Sequence, residues 1–220
     1  MTNKYVTPSL LNVEKDERLS MANTLIDEGI KWIHYDVMDG KFVPNTAIEF
    51  EEIENINQHG KKHLKDAHLM VEKPLELVEK YSKIVDFVTF HFEAEDKKKI
   101  LHFLKKNHHY YKMGIAIKPN TSVEEITELL PYVSLVLVMS VEPGKGGQKF
   151  MPNAVDKIKE LKRLRDLHQY EYLIQVDGGI NNETGPICFK AGADACVAGT
   201  FLVKNPTKDT IDTILGNRQN

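Results

Sequence analysis

The 220-residue chain has 41% hydrophobic and 28% charged residues, which suits a single buried core and lies within the usual range of one α/β barrel. Its formal net charge of −3 gives no general electrostatic attraction to nucleic acid or to an anionic membrane, so neither is expected as a partner. Neither a signal-peptide-like run nor 18 consecutive apolar residues occur, and Cys188 and Cys196 form no CxxC pattern. These features predict a reduced, cytoplasmic protein.

The first half of the chain alternates apolar, β-branched runs with segments of helical period. One helix is predicted over 14–28, with Leu19, Ala22, Leu25 and Ile26 on its inner stripe. Another is opened by Pro74 at a first-turn position. The remaining predictions for this half are strands at 4–10, 32–38, 63–70 and 85–91 and helices at 48–58 and 95–107.

The second half repeats the alternation. Ser122 followed by Glu125 has the spacing of a capping box and predicts a helix start, and the longest helix is predicted from Met151 to Leu167. The other predictions are strands at 112–117, 133–140, 173–177 and 193–198, a helix from Asn181 or Asn182 to Ala191, a helix over 206–215 and a frayed polar tail at 216–220.

Eight strands, each followed by a helix and with no linker between them, predict a parallel sheet, because parallel strands need crossover connections. The number eight favours a closed (β/α)8 TIM barrel, a single domain over residues 1–220, rather than an open doubly wound sheet. The first strand is not followed by a GxGxxG sequence, which argues against a dinucleotide fold.

Four side chains that can bind a metal fall at the carboxyl ends of predicted strands, where barrel enzymes place their chemistry. His34 and Asp36 share one face of a strand, and His68 and Asp177 end two others. His34 could simply pair with Asp36, and His68 alone could be a hydrogen-bonded strand-end histidine. Their convergence instead favours one divalent ion such as Zn²⁺, Fe²⁺, Mn²⁺ or Co²⁺.

Three methionines, Met38, Met70 and Met139, fall at equivalent strand ends. Methionine commonly fills apolar cores, and these residues could do only that. Alternatively, they form a polarizable, water-poor wall over a planar intermediate.

Glycine-rich segments follow the last three predicted strands. Taken singly, each could be no more than a turn. In adjacent loops of one barrel they predict a phosphate site, because glycine lets backbone N–H groups approach an oxyanion closely. The segments are Gly144-Lys145-Gly146-Gly147, Gly178-Gly179 and Gly199-Thr200.

Six stretches spread over nearly the whole chain closely resemble those of ribulose-phosphate 3-epimerases. Together they are far more specific than any one of them alone. They are PSLL at 8–11, HYDVMDGKFVPN at 34–45, HLMVE at 68–72, MSVEPGKGGQ at 139–148, VDGGI at 176–180 and AGADACVAGT at 191–200.

The resemblance implies a metal held by His34, Asp36, His68 and Asp177, with the two aspartates also acting as acid and base. It implies a small phosphorylated ketose as substrate, no organic cofactor and a role in the pentose phosphate pathway, and it leaves a homo-oligomer open. The implied substrate contacts are Ser9, His68, Asp177, Gly144, Lys145, Gly146, Gly147, Gly178, Gly179, Gly199 and Thr200.

Inverting a carbon next to a ketone requires a proton donor and acceptor on opposite faces and stabilisation of the enediolate, which the two carboxylates and a divalent ion provide. We therefore expect interconversion of D-ribulose 5-phosphate and D-xylulose 5-phosphate.

The chain departs from the family pattern at three positions on the rim of the site. Lys145 stands where the family commonly has Phe, and Glu142 and Lys118 replace residues that are often Asn. A 3-epimerase for a six-carbon ketose phosphate such as D-allulose 6-phosphate therefore remains an alternative. A non-catalytic phosphosugar-binding barrel would be expected to have lost one aspartate, and a metal-free lyase or decarboxylase would not explain the two histidines. His91 and Glu93 resemble a His-x-Glu element of the family, although a structural hydrogen bond would explain them equally well.

Overall fold

Eight parallel strands form a ring in the computed structural model, which describes residues 4–217. Consecutive strands are hydrogen-bonded neighbours from β2 to β8, and β8 pairs with β1. A parallel bridge between Ser9 and His34 joins β1 to β2 and closes the ring, so the predicted (β/α)8 barrel is confirmed. The strands are β1 Tyr5–Pro8, β2 Trp32–Met38, β3 Leu64–Met70, β4 Phe87–His91, β5 Met113–Ile117, β6 Leu135–Met139, β7 Leu173–Asp177 and β8 Ala195–Ala198.

Helices follow the strands and cover the outside of the ring. Short 3₁₀ segments occur at 15–17, 74–76, 92–94 and 124–132. Within residues 4–217, none of the helices combines the length and the apolar character needed to cross a membrane. The α-helices are α1 Arg18–Asp27, α2 Phe50–His59, α3 Val78–Tyr81, α4 Lys97–Asn107, α5 Asn153–His168, α6 Thr184–Ala191, α7 Thr200–Val203 and α8 Lys208–Leu215.

The interior of the barrel is filled at its amino-terminal end by residues that begin the even-numbered strands. Trp32 of β2, Phe87 of β4, Leu135 of β6 and Ala195 of β8 are all buried in one cluster. The rings of Trp32 and Phe87 stack with their centroids 5.3 Å apart. Such a layer from alternate strands closes the bottom of a barrel. The polar side chains that follow on the same faces are therefore concentrated at the carboxyl-terminal mouth.

Some helix boundaries differ from the predictions because local hydrogen bonds favour 3₁₀ turns over an α-helix. Glu125 does reach back to the N–H of Ser122, but the Ser122 hydroxyl donates to the same carboxylate rather than capping an α-helix. The segment that follows is a 3₁₀ helix containing Pro131, which lacks the N–H that an α-helix would use. The helix predicted from Pro74 is likewise divided into a 3₁₀ turn and the four-residue α3.

The buried apolar stripe of helix α5 is shorter than predicted. Ile158, Leu161 and Leu164 are buried, but Leu167 is 63% exposed and does not belong to the inner stripe. The helix ends one residue later, where Gln169 adopts a left-handed conformation.

The last helix begins at Lys208, capped by Thr207, and not at Pro206. Gly216 and Asn217 close α8 with backbone hydrogen bonds, and residues 218–220 of the predicted tail lie outside the described residues.

Candidate active site

Four side chains from β2, β3 and β7 meet at the carboxyl-terminal mouth of the barrel. One ligand atom from each of His34, Asp36, His68 and Asp177 lies within 4.8 Å of all the others. The register of β2 on β3 places Asp36 opposite His68, so both point into the barrel at the same level. The two histidines and Asp36 are buried, whereas the Asp177 side chain is 18% exposed to the cavity.

The spacing of these atoms suits a divalent ion. His34 Nε2 lies 3.3 Å from Asp36 Oδ1 and 3.9 Å from Asp177 Oδ2, and His68 Nδ1 lies 3.2 Å and 3.8 Å from the same two oxygens. A tetrahedral ion with bonds of about 2.0–2.1 Å spaces its ligands about 3.3–3.4 Å apart. His34 Nε2 is buried without a hydrogen-bond partner among residues 4–217. A buried nitrogen that faces three other ligand atoms is what a metal would satisfy.

A second carboxylate fixes the orientation of His34. Asp66 Oδ2 lies 2.6 Å from His34 Nδ1, and its other oxygen accepts a 2.5 Å hydrogen bond from the indole N–H of Trp32. Because Asp66 accepts the Nδ1 hydrogen, Nε2 is the nitrogen of His34 that faces the cluster, as in carboxylate–histidine–metal arrangements. Burial disfavours the charged imidazolium, but the negative charges of Asp66 and Asp36 outweigh it and hold the pKa of His34 well above its ordinary value.

His68 has a different support. Its Nε2 lies 2.8 Å from Nε2 of His91, whose Nδ1 lies 3.1 Å from the carboxylate of Glu93. Burial lowers the pKa of His68 to about 3 and also lowers that of His91, so both rings are neutral at pH 7.

The two aspartates of the cluster have opposite pKa shifts. Burial opposes ionisation of Asp36, but the positive charge of His34 outweighs it and holds the pKa of this carboxyl well below its ordinary value. Burial, together with the negative charge of Asp36, raises the pKa of Asp177 to about 7. Ser9 donates a 2.5 Å hydrogen bond to Asp36 and supports its ionised form. One carboxyl is thus ionised near neutral pH while the other can carry a proton, which is the arrangement that acid–base catalysis requires.

A cavity of about 680 Å³ opens above the cluster. Its walls contain all of the glycine-rich segments predicted to bind phosphate, and Met38, Met70 and Met139 line it although each is almost fully buried. The lining residues predicted from the sequence are Ser9, Asp36, Gly144, Lys145, Gly146, Gly147, Asp177, Gly178, Gly179, Gly199 and Thr200.

Hydrogen bonds between loops hold the glycine-rich segments in place. Asn45 donates to the carbonyl of Gly144, and Asn12 donates a 2.7 Å hydrogen bond to Thr200 Oγ1. The hydroxyl of Ser140 donates to the carbonyls of Asp177 and Gly178 and fixes the turn after β7. Lys145 is exposed, and its carbonyl accepts from Gln148.

Several residues of the site were not predicted. Asp66, which contacts His34, was missed, as were Lys149 and Lys204, which add positive charge to the cavity wall. The period of two along β3 could have placed Asp66 on the face of His68. The lysines carry no comparable signal, because lysine is common throughout the sequence.

The fold and the cluster define a (β/α)8-barrel enzyme with a candidate metal centre at its mouth. Residues 5–203 match the model of the "Ribulose-phosphate 3 epimerase family". Because this match covers most of the chain, the chain belongs to the ribulose-phosphate 3-epimerase family, and the predicted family membership is confirmed.

Curated relatives agree with this assignment. The chain is 38% identical to ribulose-phosphate 3-epimerase of Treponema pallidum over 89% of each chain. It is 37% identical to the cytoplasmic isoform of rice, Oryza sativa subsp. japonica, over 90% of this chain and 86% of the rice protein. The predicted assignment to the epimerase class of enzymes is therefore confirmed.

Two solved structures share the fold at low sequence identity. Tryptophan synthase of Mycobacterium tuberculosis superposes with a TM-score of 0.68 and 12% identity over 100% of this chain and 94% of that chain. Phospho-2-dehydro-3-deoxyheptonate aldolase of Thermotoga maritima gives a TM-score of 0.61 and 11% identity over 90% and 60%. At these identities the similarity concerns the barrel alone.

Proposed function

We propose that the chain is a metal-dependent sugar-phosphate 3-epimerase that interconverts D-ribulose 5-phosphate and D-xylulose 5-phosphate. The observation that carries the proposal is the convergence of Asp36 and Asp177 in one cluster. Their strands, β2 and β7, are separated by β1 and β8 around the ring, so the two carboxyls approach the cavity from different sides. This is the placement that inversion at a carbon next to a ketone requires.

The opposite pKa shifts of the two carboxyls support this assignment of roles. Asp36 in its ionised form accepts the C3 proton on one face of the substrate, and Asp177 in its protonated form returns a proton to the other face. In the reverse direction the two side chains exchange roles. Ser9 hydrogen-bonds Asp36 and keeps the carboxylate oriented.

His34, Asp36, His68 and Asp177 would hold one divalent ion, with Zn²⁺, Fe²⁺, Mn²⁺ and Co²⁺ all suited to this mixed nitrogen and oxygen set. When bound, the ion supplies Lewis-acid stabilisation of the negative charge that develops on the substrate oxygens. The proposed chemistry needs no organic cofactor.

The cavity would bind the phosphate and the carbon chain of a phosphorylated ketose. We place the phosphate at the glycine-rich segments after β6, β7 and β8 and the reacting carbons below Met38, Met70 and Met139. The methionines restrict water, which strengthens electrostatic interactions at the reacting centre. The cytoplasmic location, the place in the pentose phosphate pathway and the oligomeric state remain predictions.

The test compares substrates of different length. The cluster and the glycine-rich segments are fixed to different strands, so their separation should suit one chain length. A misplacement of about 1 Å at the reacting carbon can cost roughly 10²-fold in rate. We therefore expect kcat/KM for ribulose 5-phosphate to exceed that for allulose 6-phosphate by at least about tenfold, or roughly 1.4 kcal/mol of transition-state binding.

Each other outcome of this assay has a defined meaning. Equal or reversed values would assign the enzyme to six-carbon substrates. If both sugars bind and neither is converted in a metal-loaded sample, the chain is a non-catalytic phosphosugar-binding barrel. Asp177→Asn serves as the inactive control.

A further inference from the structure

A buried chain of hydrogen bonds leads away from the candidate metal cluster and is not used in the proposed reaction. It runs from His68 through His91 to Glu93, and both histidines are completely buried. Glu93 Oε1 accepts hydrogen bonds from the backbone N–H of Lys118, at 2.7 Å, and from the Thr121 hydroxyl, at 2.5 Å. The carboxylate is therefore anchored from the loop that follows β5.

The Glu93 carboxylate determines which atoms donate and which accept along this series of hydrogen bonds. An ionised carboxylate can only accept, so His91 must carry its hydrogen on Nδ1 to donate to Glu93. A neutral His91 then has a lone pair on Nε2, and His68 must donate to it from its own Nε2. The remaining nitrogen of His68, Nδ1, is left with a lone pair, and it is this atom that lies 3.2 Å from Asp36 Oδ1.

We propose that His91 and Glu93 are positioning residues that hold His68 in the tautomer whose Nδ1 lone pair faces the metal. The inference rests on the metal centre of the proposed function and assigns a role to two residues outside it. If the chain ran in the opposite direction, Nδ1 of His68 would carry a hydrogen and donate it to Asp36. That arrangement would leave the lone pair of His91 Nδ1 facing the Glu93 carboxylate, and it would exclude a metal ion.

The two histidines of the cluster are thus oriented by different means. Asp66 contacts His34 directly, whereas the carboxylate that orients His68 is one imidazole further away. The orientation of His68 therefore depends on which nitrogen of His91 carries the hydrogen. Substitutions of His91 and Glu93 can test this dependence.

The test measures the dissociation constant of Co²⁺ for the chelated protein, without substrate, by titration against its visible absorption. In Glu93→Gln the amide can donate to His91 and reverse the chain. We expect this variant to bind Co²⁺ roughly 10–100-fold more weakly than the parent, the usual effect of losing a partner of a metal ligand. The control is Glu128→Gln, which changes a carboxylate that is 64% exposed. It should bind like the parent.

A double-mutant cycle separates this role from a general effect on structure. In His91→Gln the amide oxygen can accept from His68 whatever residue occupies position 93. Adding Glu93→Gln to that background should change the Co²⁺ dissociation constant by less than about threefold, because position 93 no longer influences His68 through the imidazole of His91. Equal losses in both backgrounds would mean that Glu93 acts only on local structure, and the proposal would be wrong.

Failure of this inference can be distinguished from failure of the proposed function. If the parent binds Co²⁺ and Glu93→Gln, folded by circular dichroism, binds it equally well, the positioning role is overturned and the metal centre stands. If the parent does not bind Co²⁺, or if His34→Gln binds it as tightly as the parent, the metal centre itself is wrong. Should Glu93→Gln not fold, His91→Phe removes the acceptor for His68, and unchanged binding there would contradict the proposal equally.

Discussion

Asp36 and Asp177 are the same kind of side chain in opposite electrostatic surroundings, and this difference leads to a prediction at the residue scale. Replacing either by asparagine leaves an oxygen that can still bind a metal weakly but cannot exchange a proton. Epimerisation should fall by several orders of magnitude in both variants. Each variant should nevertheless retain slow exchange of the C3 proton for only one of the two epimers, because one face remains competent.

The measurement is NMR of the C3 position in D₂O, started separately from ribulose 5-phosphate and from xylulose 5-phosphate. Metal content must first be matched to the parent. Asp156→Asn, which alters an exposed carboxylate on α5, is the control and should behave as the parent. Equal loss of exchange for both epimers in both variants would show that one aspartate is only a ligand.

Individual residues of the site were predictable from the sequence to different degrees. His34, Asp36, His68 and Asp177 were predicted because strand ends in a barrel share one mouth. Asp66 was missed because its contact with His34 depends on the register of β3 against β2, which places the two residues side by side. Register depends on the closure of the whole ring, and no local pattern records it.

At the scale of elements, the turn after β7 fixes the position of Asp177 and gives a stability prediction. Gly178 has a φ of +124°, and an added Cβ would lie 2.5 Å from Cγ2 of Val141 and 2.9 Å from its backbone nitrogen. Gly178→Ala therefore combines an unfavourable backbone with a steric clash, and we expect a loss of about 2–5 kcal/mol in the free energy of unfolding. The displaced turn should also reduce kcat, since Asp177 is the adjacent residue.

Gly29 provides a matched control for the backbone contribution. It also has a positive φ, +100°, but an added Cβ would meet no atom within 4 Å. Gly29→Ala should cost only about 1–2 kcal/mol and leave kcat unchanged. Urea unfolding and kcat measurements on both variants check the prediction. Equal destabilisation would mean that the close approach to Val141 has no effect.

The elements themselves were predictable to different degrees. Strands were located well because their residues are mostly apolar and buried on both faces. Helix starts were less predictable, because Ser122 and Glu125 satisfy each other without an α-helix, whereas the structure does contain a capping box at Glu49 and Glu52 that the sequence analysis did not identify. The spacing of capping residues in the sequence does not show which side chain will accept a hydrogen bond and which will donate one.

At the scale of the whole molecule, the barrel and its candidate metal site are structurally separable. The layer formed by Trp32, Phe87, Leu135 and Ala195 closes the amino-terminal end, and a larger apolar core joins the strands to the helices. The candidate ligands occupy only the opposite end. The fold should therefore persist without metal, unlike small domains that are folded by their metal alone.

This separation leads to the prediction that chelation abolishes activity without unfolding the protein. A ligand that binds only the folded state stabilises it by about 2.7 kcal/mol at a concentration 100 times its dissociation constant. For a chain of this size, each kcal/mol corresponds to about 2–4 °C in Tm. The metal-free protein should keep its far-ultraviolet circular dichroism and lose about 5–10 °C in Tm, and its activity should return with Zn²⁺, Mn²⁺, Co²⁺ or Fe²⁺.

The comparison needs one control for the chelator itself. His34→Gln, which removes a proposed ligand, should already have a Tm near that of the metal-free parent and should lose nothing further on chelation. Full turnover by a verified metal-free parent would refute the metal-dependent mechanism. Loss of the circular dichroism spectrum on chelation would instead refute the separation between barrel and site, because it would show that His34, Asp36, His68 and Asp177 need the ion in order to pack at the mouth.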